Sequence, residues 1–201
     1  MPDVAVTVPL ILIASVIATS VLAWIVPPLR RGMMLIPWRV VSRFEIHRVL
    51  TNAWVHADIA HLTFNMLTLW FFADGVDRVL GDVRFLLLYI TAAIASSLPT
   101  TVRKHADMRY ASLGASGAVA AVIFSAILLE PNLRLGIAFV PIPIPGWAWA
   151  IGYLAYSVFA GIRSRDGINH EAHFWGAVYG AALTFVFEPD RAARTVQQLF
   201  S

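Results

Sequence analysis

The chain alternates long uncharged apolar runs with short stretches that gather the charges. Val8 to Val26 carries no charged residue, and neither does Leu113 to Leu129. A helix that crosses the hydrocarbon core of a bilayer needs about 20 mostly apolar residues. The alternation therefore constrains the fold to a bundle of helices with their connections at membrane surfaces. Composition agrees: 59% of the residues are hydrophobic and 13% are charged, where a soluble domain has about 45–50% and about 25%. Cysteine is absent, which excludes a disulfide framework and thiolate metal sites. The net charge of +3 comes from residues clustered between apolar runs. That pattern suits lipid headgroups and excludes the basic stripe with interleaved aromatics of a nucleic-acid binder.

The reading along the chain is an all-α membrane protein, one domain over residues 1–201, with six spans at about 8–26, 59–72, 85–102, 113–129, 147–162 and 173–187. The first is taken as a span rather than a signal peptide, because no Lys or Arg precedes it and no small-x-small pattern follows. Pro27-Pro28 ends it. A long connection follows with five arginines and with Trp38 and Trp54, residues that favour the membrane interface. The second span runs into a charged turn holding Asp74, Asp77, Arg78, Asp82 and Arg84. Leu135 to Pro145 is apolar but broken by Pro141, Pro143 and Pro145, so it is expected to be an interfacial or re-entrant link.

Against this background a few polar residues stand out, because polar groups inside a membrane are costly and usually mark function. Ser116 lies in Gly114-Ala115-Ser116-Gly117, where small neighbours leave its oxygen accessible. His61 and Asn65 are four residues apart and share a helix face. Both can donate hydrogen bonds and so could stabilise an oxyanion, or simply join helices. His173 sits one turn before Gly176, and Gly176 and Gly180 form a G-x-x-x-G seam that brings helices close. A histidine on such a seam could serve as general base for a serine. A metal site from His170, Glu171 and His173 is disfavoured. The order His-Glu-Ala-His is not the His-Glu-x-x-His of a zinc helix, no third ligand is apparent, and Glu171 falls on another helix face from His173.

The three motifs together resemble the rhomboid intramembrane serine proteases. That family carries H-x-x-x-N in its second helix, G-x-S-G in its fourth and A-H-x-x-G-x-x-x-G in its sixth. Here these read His61 to Asn65, Gly114 to Gly117 and Ala172 to Gly180, and the resemblance covers about Arg43 to Glu188. It implies a six-helix bundle in which Ser116 is the nucleophile and His173 its base, with no third acid. It also implies an oxyanion hole of His61, Asn65 and the Ser116 backbone amide. It implies no cofactor, no metal, and transmembrane proteins as substrates, in a multi-pass protein of a lipid bilayer, expected to be a bacterial inner membrane. Arg48 matches an arginine common in the family's first loop, and Asp77 an acidic position after the second helix. One departure matters. Many members carry a tyrosine one turn after the serine, packing on the catalytic histidine; here that residue is Ala120. Tyr179, Trp175 or Phe124 is expected to take its place.

Two other classes are set aside. A catalytically silent rhomboid-like binding protein would lack the serine or the histidine, and a transporter would carry charges inside several spans or broken helices in paired halves. The family's orientation raises a conflict. It places both termini in the cytoplasm and puts ten basic residues on the outer side, Arg165 among them, against five inside. The positive-inside tendency runs the other way.

Overall fold

The computed structural model describes residues 6–137, 140–163 and 167–198. Helix α1 spans Val8–Ile25, with the Thr7 hydroxyl accepting from the Leu10 amide at its start. The long connection is itself helical: α2 (Pro27–Met33), α3 (Pro37–Arg43), α4 (Arg48–Thr51) and a short 3-10 turn at Asn52–Trp54. Prolines open both α2 and α3, where a missing N–H costs nothing. Then come α5 (Ile59–Leu80), started by the Asp58 carboxylate accepting from the His61 amide at 2.8 Å, and α6 (Asp82–Lys104). Helix α7 (Ser116–Leu129) is followed by strands β1 (Arg134–Ile137) and β2 (Val140–Pro145), then α8 (Gly146–Arg163), α9 (His170–Phe187) and α10 (Pro189–Gln197).

Helix α7 is the axis of the bundle. Every one of its residues except Ser116, Ala126 and Leu128 is buried, against α9, α6 and α5. The main core gathers Leu12 and Val16 of α1, Leu69 and Val76 of α5, and Phe85 and Tyr89 of α6 around it. Large apolar side chains also point outward, such as Ile11 and Ile25 on α1, Phe64 and Phe71 on α5, and Ile151 and Ile162 on α8. Among the described residues, α1 and α6 are long and apolar enough to cross a membrane; α7 is apolar but shorter. At the end of the bundle away from Ser116, α10 closes α7. Arg191 donates to the Leu129 carbonyl at 2.9 Å and Thr195 to the Leu128 carbonyl at 2.8 Å, supplying partners that a helix C-terminus lacks.

Several boundaries differ from the sequence reading. The second helix does not end near Phe72 but continues through its charged residues to Leu80, and the turn is Gly81 alone, at φ 78°. Charged residues are as compatible with helix as apolar ones; apolarity marks the bilayer, not the helix end. The fourth helix begins at Ser116 rather than Leu113, because Gly114 at φ 124° cannot continue a helix. The proline-rich link is an antiparallel hairpin, with Arg134 opposite Pro145 and Leu135 opposite Ile144. Prolines at alternate positions can point their N–H-lacking side away from the partner strand. The link's residues 138 and 139, like Arg165, lie outside the described residues.

Candidate catalytic dyad and its supports

Ser116 is the first residue of α7, and three of the four residues before it are held from the first connection. Ser112 and Leu35 exchange backbone hydrogen bonds at 2.9 and 3.0 Å, and the Gly114 amide donates to the Asn52 carbonyl at 2.9 Å. The Ala115 amide donates to His56 Nε2 at 3.2 Å. That bond fixes the His56 tautomer. Nε2 accepts, so Nδ1 carries the proton and donates to Ser20 Oγ at 2.9 Å, whose hydroxyl donates to the Trp54 carbonyl at 3.0 Å. His56 is fully buried. Burial drives its pKa from the ordinary 6.5 to about 3, helped by His61 and opposed by Asp58; it is neutral in the fold and able to accept.

Gly114 allows this path in two ways. Its φ of 124° is a conformation that side chains disfavour. A Cβ there would also stand 2.6 Å from His61 Cε1. The His61 ring therefore lies directly on the loop that leads into Ser116, with the His56 ring edge-on at 5.0 Å. Asn65 is buried one turn further along α5, and its amide donates to the His61 carbonyl at 2.9 Å.

The position of His173 follows from backbone contact between α7 and α9. A Cβ on Gly176 would collide with the Gly117 carbonyl, and one on Gly180 with the Ala121 backbone. One turn further on, Thr184 donates to Ser125 Oγ at 2.9 Å. With the two backbones touching, His173, three residues before Gly176, meets the start of α7. His173 Nε2 lies 2.7 Å from Ser116 Oγ. Both are half-buried.

The ring that packs on His173 is Tyr153 of α8, not Tyr179, Trp175 or Phe124. The Tyr153 and His173 rings are nearly parallel, 16° apart, with centroids at 6.3 Å. Tyr153 stacks in turn on Trp149 and leans on Phe124. The small Ala120 leaves the space, and Tyr153 fills it beside Ala120, Phe124 and Ala177. The His170 ring also meets His173 edge-on at 5.8 Å.

Glu171 is no partner of His173, yet it anchors the helix that carries it. Its carboxylate accepts from Thr100 Oγ1 at 2.7 Å and pairs with Arg103 at 2.9 Å, both on α6. Thr100 Oγ1 also lies 3.2 Å from Asn169 Oδ1, which caps α9 by accepting from the Ala172 amide. Beside Ser116 a small recess is lined by Asn52, Ser96, Ser97, Ser112 and Asn169. These polar groups can hold water at the serine.

The fold thus joins Ser116 with His173, lays His61 against Gly114, and keeps Asn65 on the same face of α5 below it. The sequence reading missed His56 and Asn52, which hold the nucleophile loop, and Tyr153, which packs on His173. No spacing marks them, since each acts from a connection or helix remote in sequence.

A rhomboid domain model matches residues 43–189. The chain is 31% identical over 174 residues to the human presenilin-associated rhomboid-like protein, mitochondrial, covering 84% of this chain and 46% of that protein. It is 30% identical over 153 residues to RHOMBOID-like protein 12, mitochondrial, of Arabidopsis thaliana, covering 68% of this chain and 45% of that protein. A third relative, YdcA of Bacillus subtilis (strain 168), named as a rhomboid, is 30% identical over 148 residues, with 73% and 69% covered. The chain spans just under half the length of the mitochondrial relatives it matches. A domain match over most of the chain and three complete motifs lead to one conclusion: the chain belongs to the rhomboid family.

Proposed function

We propose that this chain is a serine protease that hydrolyses peptide bonds in or near transmembrane segments of other proteins. In this reading α1, α5, α6, α7, α8 and α9 form the six membrane-spanning helices. A bacterial inner membrane is the proposed location; two of the three relatives above are named as mitochondrial and the third is bacterial. The observation that carries the activity is the 2.7 Å approach of Ser116 Oγ to His173 Nε2 across the α7–α9 seam. That is the distance at which a histidine can take a serine's proton.

In the proposed reaction His173 Nε2 takes the hydroxyl proton as Ser116 Oγ attacks the scissile carbonyl carbon, giving a tetrahedral oxyanion. Donors aimed at that oxygen stabilise it. The candidates are the Ser116 amide, whose place in the first helical turn leaves it no intrahelical partner, and the side chains of His61 and Asn65. The protonated His173 gives its proton to the leaving amine, the C–N bond breaks, and an acyl-serine remains. A water from the polar recess attacks that ester, passes its proton to Nε2, and Ser116 is regenerated as the acid product leaves. A substrate helix has to unwind first, since its amides are shielded by their own hydrogen bonds.

Purified protein incubated with a generic transmembrane substrate tests the reading. Ser116→Ala should abolish cleavage with folding nearly intact, and His173→Ala should do the same. A Ser116→Ala protein that cuts at the wild-type rate would rule out the serine as nucleophile. Asn65→Ala should retain measurable activity, reduced about 10²–10³-fold as for loss of one oxyanion donor.

A further inference from the structure

The charged side chains divide unequally between the two ends of the bundle. Contacts between connections define the end that holds Ser116. Leu35 and Ser112 exchange backbone hydrogen bonds, and Arg103 near the end of α6 pairs with Glu171 at the start of α9 at 2.9 Å. At the opposite end the Thr7 hydroxyl meets Asp74 at 3.4 Å, Arg84 pairs with Glu188 at 3.2 Å, and Arg191 reaches the Leu129 carbonyl. Every connection thus belongs to one end or the other.

Among the described residues, the Ser116 end carries nine cations. Five arginines lie in the α1–α5 connection, Arg103, Lys104 and Arg109 lie around the α6–α7 connection, and Arg163 ends α8. Four carboxylates accompany them: Glu45, Asp58, Asp107 and Glu171. The opposite end carries five arginines against six carboxylates. Arg48 is withdrawn into the fold, buried and donating to the carbonyls of Arg31 and Met34. The other eight cations of the Ser116 end are at least partly exposed. These connections are shorter than the roughly 60 residues over which basic residues orient a membrane protein.

Lys and Arg in short connections resist passage across a bilayer that is negative inside and has an anionic inner leaflet. We propose that the catalytic end of this bundle faces the cytoplasm, so that the bonds cut lie near the cytoplasmic ends of substrate transmembrane segments. This orientation is the reverse of the one that the family resemblance implies. Water enters the recess beside Ser116 from the cytoplasm, and the start of α1 and helix α10 lie on the outer side. The orientation rests on the membrane placement proposed above; the choice of substrate end rests also on the proteolytic reading.

The absence of cysteine makes the test direct. Met108→Cys, at a position 69% exposed, marks the Ser116 end, and Asn132→Cys, also exposed, marks the opposite end. Each protein is expressed in a bacterial host, and spheroplasts are treated with a membrane-impermeant maleimide before and after permeabilisation. Asn132→Cys should label in intact spheroplasts, and Met108→Cys only after permeabilisation. The reverse pattern overturns the proposal, and so does equal labelling of both in intact spheroplasts. Arg31→Gln, Arg43→Gln and Arg109→Gln combined with Glu130→Lys and Asp190→Lys should raise labelling of Met108→Cys in intact spheroplasts severalfold. Unchanged labelling would remove the charge argument and the proposal with it. Two single-span substrates, with one helix-breaking segment placed near the cytoplasmic or the outer end, test the second half. The first alone should be cut, by the wild type and not by Ser116→Ala. Cleavage of the second alone overturns the assigned substrate end. If labelling is as expected and neither is cut, the orientation stands and the proteolytic reading falls.

Discussion

Two helices flank the dyad, and they are fixed by opposite means. Helix α9 meets α7 backbone to backbone at Gly117–Gly176 and Ala121–Gly180, with Ser125 and Thr184 hydrogen-bonded beyond. Helix α8 reaches the same site through large rings, Trp149 and Tyr153 against Phe124 and His173, while Ile151, Val158, Phe159 and Ile162 of α8 face outward. The first contact has no room for one added carbon. The second is made of side chains that can be exchanged or trimmed. The contrast separates what sets the distance between Ser116 and His173 from what steadies the imidazole once it is there.

The largest effect should come from the tight contact. Gly180→Val places branched carbons where the Ala121 backbone lies, and overpacking of this kind costs about 1–3 kcal/mol or more. Thermal stability and cleavage should fall together. An unchanged melting temperature with unchanged cleavage would mean that the seam faces lipid. Tyr153→Ala should act differently. Loss of a ring pair worth about 0.5–1.5 kcal/mol corresponds to a roughly 2- to 10-fold lower kcat, with a smaller loss of stability than for Gly180→Val. Tyr153→Phe should recover it. If the phenylalanine variant is as impaired as the alanine one, the hydroxyl rather than the stacked ring is what α8 supplies.

A smaller effect tests the anchor of the helix that carries His173. Glu171→Gln keeps the shape and the Thr100 contact but removes the charge that pairs with Arg103. Because Arg103 is largely exposed, the loss should be about 0–1 kcal/mol, seen as a slightly lower melting temperature and little change in cleavage. A loss of cleavage comparable to His173→Ala would instead give Glu171 a part in the chemistry.

The smallest effect is a change of slope. His56 is neutral in the fold with a pKa of about 3, while unfolded it would titrate near 6.5. Between those values the unfolded chain binds the extra proton. The stability linked to neutral His56 is therefore complete above about pH 6.5 and declines as pH falls toward 3. His56→Gln, which can still accept from the Ala115 amide and donate to Ser20, should give a shallower dependence of melting temperature between pH 7 and pH 5. An identical slope would show that His56 does not titrate on unfolding.

What was legible in the sequence was whatever acts through local spacing. Uncharged runs located the long helices, because apolarity over about 20 residues has one main use. Four-residue spacing put His61 and Asn65 on one face, and the Gly176-to-Gly180 interval announced a close helix contact with His173 beside it. Helix ends were less legible. Leu80 and Ser116 are set by the positive φ of Gly81 and Gly114 rather than by polarity. The proline-rich hairpin was missed because its pairing is a relation between two strands. The tertiary structure alone decided which distant groups converge. Ala120 announced a missing ring, yet only the packing of α8 could name Tyr153 as its replacement. Nothing in its local sequence marked His56, whose two ring nitrogens lie between Ser20 and the Ala115 amide. Periodicity along one helix fixes which face a residue occupies. Which atoms lie across that face is settled by how helices far apart in the chain pack together, and no local pattern carries that information.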